Sequence, residues 1–247
     1  MTDAGPAERL GPIALVGSGE FLPVMEAVDR DLLRGRPPRV VFLPTAAAEE
    51  GKERVRYWVE LGTKHFRGLG VEAVPLLVLE RAHADDASLA GQIPGAGLVY
   101  LSGSNPGYLA ETLRGSAVWQ AIVAAWRAGT ALAGCSAGAA ALSAVAGNVR
   151  DPARDEGRGL GLVPHLGVIP HFDRIEKWRP GLTARIRAMA PPEATVVGID
   201  EDTALVGGPH RWRVEGERTV TVFSPLRKDA PQVHHRGEEL VIPLAAP

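Results

Sequence analysis

Gly129-Thr-Ala-Leu-Ala-Gly-Cys-Ser-Ala-Gly-Ala-Ala-Ala-Leu-Ser143 is the stretch on which the reading of this chain turns. Its first residues form a short apolar run that reads as a buried strand, and its alanine-rich end reads as the start of a helix. Between them, Gly134-Cys-Ser-Ala-Gly138 puts a serine between two glycines where the strand turns into the helix. That is the outline of a nucleophile elbow, in which strained backbone holds a side chain clear while small neighbours let strand and helix approach. The same five residues also fit a glycine-rich helix start with Ser136 as its N-cap.

Working outward, apolar segments bounded by Gly and Pro alternate with segments of helical spacing. Strands are expected at residues 12–16, 39–43, 71–79, 97–101 and 130–133, and helices at 22–33, 49–66 and 105–127, the last broken near Gly115. This alternation predicts an α/β fold: one domain over residues 1–247, with a mostly parallel central sheet covered by helices on both faces. After the elbow the pattern changes. Residues 148–161 lack periodicity and read as a long loop, followed by a strand at 166–169 and a helix at 182–189. Closing strands at 195–199, 203–206 and 219–223 are expected to be partly antiparallel. The first ten residues read as a flexible terminus.

Lys and Arg number 27 against 29 Asp and Glu, a net charge of -2, which offers no electrostatic footprint for nucleic acid or an anionic membrane. A single cysteine excludes an internal disulfide and a cysteine-based zinc site. The N-terminus carries neither a basic nor an apolar leader region, and the longest uncharged run, 128–148, is interrupted by glycines. A cytoplasmic protein acting on a small peptide or amide is expected, without cofactor or metal, and a homodimer is compatible with the sequence.

A serine hydroxyl is a poor nucleophile at neutral pH and needs a base within reach, itself oriented by an acid. His171 follows directly on the 166–169 strand and Pro170, at the edge of the sheet where ligand sites gather. Asp151, Asp155 and Glu156 in the loop between are candidate acids. A competing set combines Ser136 with Asp200 and His234 or His235, the Ser, Asp, His order of an α/β-hydrolase esterase. For the oxyanion, Ala137 N–H is one donor by position, and Gly103 or Ser104 in Ser102-Gly-Ser-Asn105 could supply the other. Cys135, one residue off the elbow tip, reads as a small buried residue pointing away from the site.

With Gly134-Cys-Ser-Ala-Gly-Ala139, Pro170-His-Phe172 and Gly198-Ile-Asp-Glu-Asp-Thr-Ala-Leu205 in that order, the chain resembles the dipeptidase E and cyanophycinase family of serine peptidases. The resemblance runs from the first strand to about Val206. It implies a fold like that of class I glutamine amidotransferases, with serine in place of cysteine. It further implies Ser136 as nucleophile, His171 as base and Asp151 as acid, with an acyl-enzyme intermediate. A loop that in the family commonly reads Gly-Gly followed by Asn or Asp is here Gly103-Ser104-Asn105, so Gly103 is implied for the oxyanion hole and Ser104 and Asn105 for substrate. Family members act on aspartyl peptides, for which Arg174 or Arg179 would supply the cation. A non-catalytic ligand-binding relative of the same fold is the remaining alternative.

Overall fold

Residues of the first strands alternate between two apolar environments, and that alternation explains the layers. In the computed structural model, which describes residues 10–147, 157–225 and 230–244, Ile13 and Leu15 face one core while Ala14 and Val16 face the other. Strands buried on both faces carry near-continuous Val, Leu, Ile and Ala, as here. The elements run in the order β1 (Ile13–Val16), α1 (Glu26–Leu33), β2 (Arg39–Leu43), α2 (Lys52–Gly68), β3 (Glu72–Pro75), α3 (Arg81–Ala84), α4 (Ala87–Ala90), β4 (Leu98–Leu101), α5 (Pro106–Leu113), α6 (Ala117–Arg127), β5 (Ala131–Cys135) and α7 (Ala137–Leu142). There follow β6 (Leu166–Ile169), α8 (Phe172–Trp178), α9 (Leu182–Met189), β7 (Thr195–Ile199), β8 (Thr203–Gly207), β9 (Arg211–Gly216), β10 (Thr219–Phe223), β11 (Gln232–His235) and β12 (Glu239–Val241).

Eight strands form the main sheet in the order β12-β9-β8-β1-β5-β4-β2-β3. The run β1-β5-β4-β2-β3 is parallel throughout, and β8, β9 and β12 close one side in antiparallel pairing. Val28 and Leu32 of α1 and Phe66 of α2 pack on one face. Leu109 and Leu113 of α5 and Val118, Ile122 and Trp126 of α6 pack on the other. The α5–α6 break falls at Gly115, whose φ of 70° suits glycine, and Ser116 caps α6 by accepting from Trp119 N–H at 3.1 Å, a cap contributing about 1 kcal/mol.

The expected α/β fold with a mostly parallel sheet is what the chain adopts, with three local differences. The helix expected over 49–66 divides into a 3-10 turn, Thr45–Glu50, and α2, because Gly51 at φ 94° breaks the ladder. The strand expected over 71–79 pairs only as far as Pro75. The third difference is larger. β6, β7, β10 and β11 leave the main sheet and form a second one in the order β11-β10-β7-β6, with β6 and β7 parallel. No described helix is long and apolar enough to cross a membrane.

Candidate active site

The elbow is built by close backbone approach. A Cβ on Gly134 would lie 2.5 Å from the carbonyl of Gly138, and one on Gly138 would lie 2.2 Å from the Leu101 carbonyl oxygen, so only glycine fits at either place. Ser136 N–H donates to Val16 O at 2.8 Å, tying the turn to β1. The serine itself sits at φ 51°, ψ -108°. Five described residues other than glycine have positive φ: Phe21, Ser104, Ser136, His171 and Asp202. Ser136 and His171 face each other, Ser104 lines the same cleft, and Asp202 follows the partner of His171. Strain of this kind concentrates where surrounding structure holds functional groups in place.

Ser136 Oγ lies 2.9 Å from His171 Nε2, and His171 Nδ1 lies 3.1 Å from Glu201 Oε1. The register of the second sheet brings the last two together. β6 and β7 run parallel with Ile169 beside Gly198, so both chains leave the sheet at one edge, where His171 and Glu201 follow. Glu201 is fixed from several sides. Its N–H donates to Asp173 Oδ1 at 2.9 Å, and Arg174 Nε lies 3.2 Å from its second carboxylate oxygen. Arg218 in turn holds Asp173 at 3.1 Å.

Glu201 was not singled out in the sequence as an acid, although it lies inside the 198–205 motif. The signal that could have found it is the pairing of two strands 29 residues apart in register, Ile169 with Gly198, which no local pattern encodes. Asp151, Asp155 and Glu156 lie outside the described residues. Arg174 does not line the cleft, because its guanidinium is held by Glu201 and Asp173. Asn105 is buried and turned to structural use: its Oδ1 accepts from Tyr108 N–H at the start of α5 and its Nδ2 donates to Glu49 at 2.6 Å. Ser104 does line the cleft, with its hydroxyl on Glu50. Arg179 lines it as well.

Gly103 packs directly against the serine, since a Cβ there would lie 3.2 Å from Ser136 Cβ. Its N–H, however, donates to the buried carboxylate of Glu20 at 3.0 Å, so in this structure it is not free for an oxyanion. The second Glu20 oxygen accepts from Cys135 Sγ at 2.8 Å. Burial, and then the adjacent Glu20, push the Cys135 thiol well above its ordinary pKa, which keeps it a protonated donor. Cys135 is thus buried beneath the elbow rather than exposed beside it. The next loop amide, Ser104 N–H, has no hydrogen-bond partner among the described residues.

The competing esterase set does not assemble. Asp200 accepts from Thr219 N–H at 3.2 Å and Thr219 Oγ1 at 2.6 Å. His234 lies on β11, at the edge of the second sheet, 3.3 Å from Glu238, and His235 is on the same strand. Among the described residues no group of three or more His, Cys, Asp or Glu side chains is arranged to hold a metal ion.

The sequence profile of Peptidase family S51 matches residues 13–213. Comparison with curated proteins gave no match. Among solved structures, a peptidase from an acI-B1 Actinobacterium is 36% identical, with a TM-score of 0.86 over 96% of this chain and 98% of that one. A Peptidase E-type protein from Listeria monocytogenes EGD-e is 19% identical, with a TM-score of 0.60 over 87% of this chain and 98% of its own, a likeness of fold alone. With the profile covering most of the chain and a serine within hydrogen-bond distance of a histidine at its centre, this chain belongs to peptidase family S51 and is a serine peptidase.

Proposed function

We propose that the chain hydrolyses a small peptide through an acyl-enzyme formed on Ser136, with His171 as general base and acid and Glu201 as the group that orients His171. The observation that carries this reading is the continuous relay of 2.9 Å from Ser136 Oγ to His171 Nε2 and 3.1 Å from His171 Nδ1 to Glu201 Oε1. Glu201 accepting from Nδ1–H leaves the lone pair of Nε2 facing the hydroxyl, the tautomer a base needs. As Oγ attacks the scissile carbonyl carbon, its proton passes to Nε2. When the C–N bond breaks, Nε2 returns that proton to the leaving amine. Water, deprotonated by the same nitrogen, then attacks the ester and frees Ser136.

Negative charge on the carbonyl oxygen is received in this reading by Ala137 N–H, the first amide of α7 and without an intrahelical acceptor, and by Ser104 N–H. Gly103 contributes by allowing the loop to approach Ser136, its own amide being held by Glu20. Asp151, implied as acid by resemblance, has no role in this assignment.

Replacing Ser136 by Ala tests the reading. Peptide hydrolysis should fall on the order of 10⁵-fold or more, and covalent labelling by a fluorophosphonate should vanish while the thermal transition is retained. Undiminished hydrolysis by the folded variant would refute it.

A further inference from the structure

Beside Ser136 and His171 lies a cleft of about 270 Å³ whose walls are apolar. Leu182, Ile186 and Met189 recur at i, i+4 and i+7 along α9 and so form one face of that helix. All three line the cleft and are half-buried, and Leu182 and Ile186 also pack against the small core cluster of Ile169, Ile175 and Val196, so the stripe lies between that core and the cleft. Val168 and Ile175 continue the wall, and Trp178, 55% exposed, stands at 5.4 Å from the His171 ring. Among the described residues no Asp or Glu lines the cleft, whereas two arginines do, Arg179 and Arg185.

Those two differ from the other arginines of the segment. Arg174 is held by Glu201 and Asp173, and Arg187 lies over the Phe223 ring at 4.8 Å. Arg179 and Arg185 are exposed, and among the described residues their side chains have no ion-pair partner. An apolar cleft carrying two cations without an ion-pair partner among the described residues fits a ligand with a bulky apolar group next to an anion. An aspartyl side chain would leave the walls unfilled, and the cation nearest His171 in sequence, Arg174, is already paired.

We infer that the substrates are short peptides ending in a bulky apolar residue, cut immediately before it, so that this residue leaves as a free amino acid. The inference rests on the roles proposed for Ser136 and His171. His171 Nε2 delivers the proton to the leaving amine, and the α9 stripe, Trp178 and both arginines of the cleft come from the chain that follows His171. The side chain that fills the cleft therefore belongs to the leaving residue, and its free α-carboxylate meets Arg179 and Arg185. The balance is that of hydrolysis: the C–N bond breaks, water supplies OH to the acyl carbon, and its proton completes the amine.

Four peptides test this: Ala-Phe, its C-terminal amide, Phe-Ala and Asp-Ala, with fluorophosphonate labelling of Ser136 run on the same preparation. Ala-Phe should be the best substrate, by about 10-fold or more in kcat/KM over Phe-Ala and Asp-Ala. Amidation should cost a similar factor, mostly in KM. In the surface double variant Arg179→Gln, Arg185→Gln, the ratio between acid and amide should collapse towards one while labelling of Ser136 is unchanged. Faster turnover of Asp-Ala or Phe-Ala, or an acid-to-amide ratio that survives the double variant, would overturn the inference. Labelling of Ser136 without cleavage of Ala-Phe would overturn it and leave the serine reading intact. Absence of labelling would bring down the serine reading and this inference together.

Discussion

The region around Ser136 and the region around His171 are built on different principles. The elbow is local: β5, the turn and α7 are consecutive, and the glycines that permit the turn lie two residues on either side of the serine. His171 and Glu201 are separated by 30 residues and meet through the parallel register of β6 with β7. Even the buried carboxylate under the elbow, Glu20, is recruited from a different strand end, after β1. In the proposed assignment the nucleophile is thus specified by a short motif, while its acid and base are specified by the sheet that carries them. Damage to the glycine frame of the elbow should be structural, and damage to the His171–Glu201 contact should be chemical.

The largest expected effect follows from crowding the elbow. In Gly138→Val, the new Cβ would fall 2.2 Å from the Leu101 carbonyl oxygen, a backbone atom that cannot swing away. A loss of more than about 3 kcal/mol is expected, as for overpacking with no room to relax, together with loss of peptide hydrolysis. Denaturant unfolding checks it, and a variant of unchanged stability would mean that the elbow is not closely packed.

Removing the carboxylate beneath the elbow comes next. Glu20→Ala strands the Gly103 N–H and the Cys135 thiol in a buried setting, which should cost about 1–3 kcal/mol. The freed loop should also lower kcat more than it raises KM, since Gly103 and Ser104 face the reacting carbonyl in this account. Steady-state kinetics alongside thermal melts separates the two effects.

How much of this was legible in the sequence follows the same division. The parallel core of the main sheet was legible because each strand is a short apolar run bounded by Gly or Pro, as at residues 12–16 and 97–101. Ser136 and His171 were legible as a pair because each stands at a strand end. The second sheet was not, since β7 and β10 have the same apolar composition whichever neighbours they choose. Glu201 was hidden for that reason: within Asp200-Glu201-Asp202 three acids stand in a row, and only the β6–β7 register selects the middle one. The partners of Arg174 and Asn105, Glu201 and Glu49, were not legible because they come from elements that sequence proximity does not connect.

The smallest effect concerns stability on the second-sheet side. His165, which precedes β6, is buried, its Nε2 faces Pro209 O at 2.9 Å, and its Nδ1 has no partner among the described residues. Protonation would put a second N–H where nothing accepts it, and burial lowers its pKa below the usual imidazole value, with His210 adding to the shift. A histidine whose folded pKa is depressed takes up its proton more readily when unfolded. Its contribution is therefore whole above about pH 6.5 and is lost as the pH falls through that value towards the depressed pKa. Melting temperatures between pH 7 and 5 should fall more steeply for the wild type than for His165→Gln, and parallel slopes would remove His165 from the account.

The central claim is that the histidine beside Ser136 is oriented by Glu201 across the second sheet. It is tested most directly by the rate of fluorophosphonate labelling in Glu201→Gln and Asp151→Asn measured side by side. The account predicts slowing by at least about 10²-fold and up to about 10⁴-fold in Glu201→Gln, with Asp151→Asn within a few-fold of the wild type. Slow labelling in Asp151→Asn together with a wild-type rate in Glu201→Gln would contradict it.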